Sequence, residues 1–251
     1  MDKFFDKYAW QARIFPALLV LLPIGIAVIA WVPKIEDQVK PVLGILTGAG
    51  TLVLLAHLAR SAGKRAEERL VAKWGGLPST LLLRHRDTRI DPVTKRRYHE
   101  RLAQLVPGLK LSTPAEENAD PMAADQAYVS CGNFLRARTR DEKKFPLLLN
   151  ENISYGFRRN LFGLRPLGLL ISLCGVAGCV WKLDQDLQAR LPVSPLVVAS
   201  LLFCVGFAAF WIFVVNAAWV RQAADDYAIR LLETIDQLLT PANPASPASP
   251  G

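Results

Sequence analysis

The stretch Leu196–Val220, LVVASLLFCVGFAAFWIFVVNAAWV, decides the fold class, because it runs without one Asp, Glu, Lys or Arg. A helix rises about 1.5 Å per residue, so crossing about 30 Å of hydrocarbon takes roughly 20 apolar residues. This stretch exceeds that length. Three others resemble it: Ile14–Val32, Val42–Ala59 and Leu164–Trp181. The last reaches the needed length if Arg165 and Pro166 sit at the interface and Lys182 snorkels outward. Four such stretches in 251 residues, 51% of them hydrophobic, predict an all-α polytopic membrane protein. Its four transmembrane helices would form two hairpins around a small helical cytoplasmic module.

Charge supplies the orientation. The segment 60–165 holds 21 Lys and Arg against 12 Asp and Glu, a larger excess than the net +8 of the whole chain. Lys and Arg near span ends bias their loops to the cytoplasm. Lys3, Lys7, Arg13, Arg60, Lys64, Arg65, Arg69, Arg158, Arg159, Arg165 and Arg221 all fall on one side of a four-span arrangement. Both termini and the middle segment are therefore expected inside the cell, across a bacterial inner (plasma) membrane. Trp10, Trp31, Trp181 and Trp219 fall at expected interfaces, where indole rings are favoured. Ile14–Val32 reads as a retained first span, since the residues before it carry both signs of charge and no small-residue cleavage pattern follows. The expected divisions are 1–59, 60–163, 164–220, a C-terminal helix over 221–239, and a Pro-, Ala- and Ser-rich flexible tail over 240–251.

The spans carry no Asp, Glu, Lys or Arg at their centres, which argues against ion-coupled transport. Small residues recur at four-residue spacing: Gly44 and Gly48, Gly168 and Ser172, Gly175 and Cys179. Such spacing lets helix backbones approach closely, either within a hairpin or between copies of the chain. Pro16 and Pro23 should bend the first span. The four cysteines show no CxxC spacing and read as core-filling thiols.

In the middle segment, Arg60–Lys73 should continue the second span as a helix that stops at Gly75–Gly76. Leu77–Leu83 reads as a short strand or one helical turn. Asp91–Pro92 should open a helix reaching about Val106, Thr113–Glu116 has capping-box spacing, and Asp120–Pro121 should open a third helix. In that third helix Ala123, Ala127, Ser130, Phe134 and Ala137 share one face. After the fourth span, Ile229, Leu232, Ile235 and Leu239 form a stripe suited to packing on the middle segment or on a sister subunit.

Two regions attract functional attention. His85, Asp87, Asp91 and His99 are the candidate catalytic residues, although no metal-ligand spacing or nucleophile–base set accompanies them, and neither a metal nor a cofactor is implied. Arg84, Arg86, Arg89, Lys95, Arg96 and Arg97 around them offer cations for a nucleotide or phosphate ligand. The second region is Asn150–Arg165, NENISYGFRRNLFGLR. Its Tyr155, Phe157 and Phe162 should seat at the membrane interface, with Arg158, Arg159 and Arg165 meeting anionic lipid headgroups. The layout suits a signal-responsive membrane effector of stress or phage defence, and equally a scaffold or subunit of a larger membrane complex. A membrane enzyme acting on a phosphate-containing substrate is the third reading. A homo-oligomer or another membrane-complex subunit is an expected partner; nucleic acid is not.

Overall fold

Proline and capping residues set where the helices of this chain begin. A computed structural model describes residues 7–31 and 40–238, and everything described is helix, turn or loop, without a strand. α1 (Lys7–Ala9) runs through a π turn, Trp10–Ile14, into α2 (Phe15–Trp31), and α3 (Lys40–Trp74) follows. α4 (Pro78–Leu83), α5 (Pro92–Leu105), α6 (Pro114–Ala119), α7 (Pro121–Arg138), α8 (Pro146–Gln188) and α9 (Pro195–Ala209) each start on a proline. Proline suits a first helical position because the N–H it lacks would have no helical partner there. A second π turn, Phe210–Val214, and α10 (Ala217–Leu238) complete the order.

The caps match the sequence reading in detail. The Asp91 carboxylate accepts from the Thr94 N–H at 2.9 Å, and Asp120 accepts from the Ala123 N–H at 3.0 Å. Thr113 and Glu116 form a reciprocal capping box. Gly75 and Gly76 stop α3 with φ of 76° and 141°, a region closed to most side chains. Leu77–Leu83, left open between strand and helix, folds as α4.

The chain divides into two compact units, Met1–Leu70 with Asn152–Ala223, and Val71–Glu151 with Ala224–Gly251. The divisions fall inside α3, α8 and α10, because these helices continue past the ends of the apolar stretches.

Among the described residues, three helical segments are long and apolar enough to cross a membrane: Lys7–Ala27, Pro146–Gln188 and Pro195–Val214. They expose large apolar side chains, among them Leu170, Leu173, Val180, Leu202 and Phe213, each at least half exposed. The expected second span, Val42–Ala59, lies within α3, but the side chains of 40–52 are outside the described residues, as are Gly44 and Gly48 with them. The loop 32–39 and the tail 239–251 also lie outside them. Inside the first unit, Val20, Ala59, Leu161, Leu164, Trp211 and Val215 form one core, and Ala27, Cys179 and Val197 a second.

The fourth apolar stretch departs from a single straight helix. After α9 the backbone widens into the π turn, then breaks at Val215 and Asn216. Asn216 caps the next helix, its side-chain oxygen accepting from the Trp219 N–H at 2.9 Å while its amide donates to Phe213 O at 3.0 Å. A polar residue whose amide serves both flanking segments makes this break self-satisfying.

The second unit has its own core. Leu82 and Leu83 of α4, Tyr98 and Leu102 of α5, Ala124, Tyr128, Cys131 and Leu135 of α7, and Leu231, Leu232 and Ile235 of α10 meet there with Phe145 and Leu148. The buried stripe of α7 is thus displaced by one position from the Ala123–Ala137 face. The larger Tyr128 and Leu135 take the interior, Ala123 and Ala137 are exposed, and Phe134 lies at the edge beneath Arg138. On α10, Leu232 and Ile235 of the expected stripe are buried together with Ala228 and Leu231, Ile229 is exposed, and Leu239 lies outside the described residues.

Candidate functional site

The polar residues singled out in the middle segment converge on the loop between α4 and α5. Glu117, only 1% exposed, accepts from the His85 N–H and from the Tyr128 hydroxyl, both at 2.8 Å. Burial pushes the Glu117 carboxyl up, but these donors and the Arg86 N–H outweigh it and hold it below the ordinary carboxylate value. From the opposite direction the Lys95 ammonium, 5% exposed, donates to Arg84 O at 2.7 Å and to Asp87 O. Burial lowers the Lys95 affinity for its proton, against the pull of Asp87 and Glu117. A carboxylate on the loop's N–H groups and an ammonium on its carbonyls fix the loop from both polarities.

The two histidines belong to the same clamp. Each Nε2–H donates to a carbonyl at 2.8 Å, His85 to Ser112 O and His99 to Leu83 O. Their rings meet edge to face with centroids 4.6 Å apart, and Tyr128 lies 5.6 Å from His99. Burial lowers the His99 pKa, with His85 and Lys95 adding to it and the Leu83 carbonyl and Glu117 opposing it. Asp87 binds Arg89 through backbone and side chain, and that arginine also reaches Asp225 at 3.0 Å. For Asp87, too, burial is outweighed by the arginine, which leaves its pKa lowered. Asp91, exposed, is the α5 cap. Three of the four candidate catalytic residues therefore share one loop and its supports, and Asp91 stands at the start of the next helix.

The candidate phosphate ligands separate into two sets. Arg84 holds Asp125 through two bonds of 2.8 and 2.5 Å, Arg97 pairs with Asp236 at 3.2 Å, and Arg89 and Lys95 serve the loop as described. Only Arg86 and Arg96 keep exposed side chains without an ion pair. A bidentate arginine–carboxylate pair is among the stronger charge contacts, so an incoming anion must displace Asp125 to use Arg84. No group of three or more His, Cys, Asp or Glu among the described residues is placed to hold a metal.

The Asn150–Arg165 stretch turns much of its polarity inward from Tyr155 onward, within the first unit. The Tyr155 hydroxyl donates to Glu67 at 2.6 Å, and Arg159 pairs with the other oxygen of Glu67 at 2.9 Å. Arg158 lies over the Trp219 ring and donates to Trp219 O at 3.0 Å; Phe157 meets the same indole edge-on. Arg165 donates to Ile212 O at 3.2 Å, a carbonyl within the second π turn. Phe162 lies partly buried against the core.

Asn160, missed in the sequence, is fully buried and donates to Ala12 O at 2.6 Å. Ala12 lies four residues before Pro16, which has no N–H to give it, so the asparagine supplies the missing donor. The signal was available in Pro16 itself, although nothing local identifies a partner 148 positions away.

The small residues make the closest contacts. A Cβ at Gly163 would lie 2.5 Å from the backbone of Ala62 and Gly63. One at Gly168 would lie 2.2 Å from the Trp211 ring, and one at Gly175 would lie 2.7 Å from Cys204 Sγ. Ser172 donates back to Gly168 O at 2.8 Å, and Cys179 fills the second core. These four expected packing residues thus serve contacts within one chain.

No family model, no curated protein and no solved structure matches the chain. The class defined here rests on its own architecture: an all-helical protein with three apolar helices of membrane-crossing length, among the described residues, and a second helical unit organised around a clamped loop.

Proposed function

We propose that this chain is a four-span protein of a bacterial inner membrane, with both termini and the second unit in the cytoplasm, and that it acts as a signal-responsive membrane effector. In this reading the second unit receives a ligand or partner, and the response is a change in span packing that alters permeability. The observation that supports it most is the polar crossing of Glu67, Tyr155, Arg159 and Asn160. It ties α3 and α8 together and reaches the π turn ahead of α2. Both α3 and α8 also contain residues of the second unit, so a change there has a covalent route to the crossing. Hydrogen-bonded contacts at helix irregularities are natural places for two packings of similar energy.

The test needs no knowledge of the trigger. Tyr155→Phe removes the hydroxyl that Glu67 accepts, and Glu67→Gln weakens both of its bonds. Purified variants in dye-filled liposomes should leak faster than the wild type while eluting from gel filtration at the same volume. Tight liposomes from correctly folded variants of both kinds would overturn the effector reading.

A scaffold within a larger membrane complex is the second reading. It draws on Val93 and Met122, which are 75% and 73% exposed at the starts of α5 and α7. It predicts a stoichiometric partner after gentle extraction, and a lone monomer would sink it.

A further inference from the structure

We propose that the exposed face of α3 bearing Arg60, Lys64, Arg65 and Arg69 is a docking surface for anionic lipid headgroups. The expected contacts lay on Arg158, Arg159 and Arg165, but those guanidinium groups are turned onto Trp219 O, Glu67 and Ile212 O. The α3 cations behave in the opposite way. The helix buries Ala59, Gly63, Ala66 and Leu70 along one side and exposes Arg60, Lys64, Arg65 and Arg69 on the other. None of the four forms an ion pair. Glu67 is drawn away to Tyr155 and Arg159, which leaves Glu68 as the one carboxylate of residues 60–69 on the exposed face.

Position gives this face its partner. Arg60 follows directly on the apolar stretch Val42–Ala59, so the inference rests on the membrane reading of that stretch. Arg60, Lys64 and Arg65 fall within about 7.5 Å along the helix axis. The headgroup layer of one leaflet is roughly 5–7 Å deep, so all three can meet lipid phosphates at one level. Their stems follow the apolar surface while the charged ends reach phosphate. Each cation at an anionic surface contributes roughly fivefold in association.

The experiment compares the full chain with the Arg60→Gln/Lys64→Gln/Arg65→Gln variant in vesicles of phosphatidylcholine and phosphatidylglycerol. Lipid retained after mild detergent extraction is counted by native mass spectrometry. The wild type should retain phosphatidylglycerol at least several-fold over its share in the vesicle, and the variant should fall to about that share. Arg86→Gln/Arg96→Gln, which removes two exposed cations of the second unit, should keep the wild-type preference. An unchanged preference in the triple variant, or none in the wild type, overturns the docking surface. Release of the wild type from vesicles by alkaline carbonate would instead overturn the membrane reading beneath it.

Discussion

The α4–α5 loop and the α3–α8 crossing both bury polar groups, and they satisfy them by different means. At the loop, full charges do the work: Glu117 gathers N–H and O–H donors while Lys95 gathers carbonyls. At the crossing, backbones come close enough that glycine is required, and the fully buried polar side chain is a neutral amide. Removing two ions from water costs several kcal/mol each unless their partners are complete. The loop has the partners to offset that cost. Asn160 donates to a carbonyl that proline had already left without a donor, and its amide oxygen accepts from the Arg159 guanidinium at 3.4 Å. The contrast teaches that the two units should fail differently, one by steric exclusion and the other by electrostatics.

The largest effect should come from filling the crossing. Gly163→Val would put side-chain atoms against Ala62 and Gly63, where the obstructing atoms are backbone and have no rotamer to adopt. Destabilisation of about 3 kcal/mol or more is expected, enough to lose the folded peak in detergent gel filtration. Gly206→Ala, where nothing lies within 4 Å, should not destabilise, since an interior helical position favours alanine over glycine by up to about 1 kcal/mol. A tolerated Gly163→Val would mean that the helices do not approach so closely. At the loop, Glu117→Gln keeps the shape but replaces a charge-assisted acceptor with an amide whose NH2 opposes the donors around it. A loss of about 2 kcal/mol is expected in chemical denaturation, with faster proteolysis of residues 84–90. Wild-type stability in that variant would show that the carboxylate does not hold the loop.

What could be read in the sequence follows the same contrast. Local signals were legible: the apolar stretches, the prolines at helix starts, the Asp91, Thr113 and Asp120 caps, and the glycine stop after Trp74. Each depends on residues within a few positions. The clamp was not legible, because His85 and Asp87 look like a polar loop until Glu117 and Lys95 arrive from other helices. The arginines of Tyr155–Arg165 were read outward, since aromatic–basic interleaving before a span ordinarily faces headgroups. Glu67, Trp219 O and Ile212 O accept from those guanidinium groups, and only three-dimensional packing brings these acceptors near. The break at Asn216 lay between these cases: an asparagine before Ala217 is a capping signal, masked by the apolar residues on both sides.

The smallest effect is a dependence on pH that the loop should show. His99 donates Nε2–H to Leu83 O and faces the His85 ring, Tyr128, Lys95 and Glu117. Its folded pKa lies below the ordinary value of about 6.5, so between those two values the unfolded chain binds the proton more readily. Its contribution to stability is complete above about pH 6.5 and is lost as pH falls toward the folded pKa. The slope for one such proton is at most about 1.4 kcal/mol per pH unit. Glu117 and Asp87, whose folded pKa values are also lowered, begin to act only below the ordinary carboxylate range of about 4, as their partners lose the charge. Acid should therefore weaken the second unit in two stages, the first carried by His99. His99→Gln retains a donor for Leu83 O but cannot titrate, so its melting temperature should change less between pH 7.5 and 5.5 than that of the wild type. An equal change in both proteins would assign the first stage to another group.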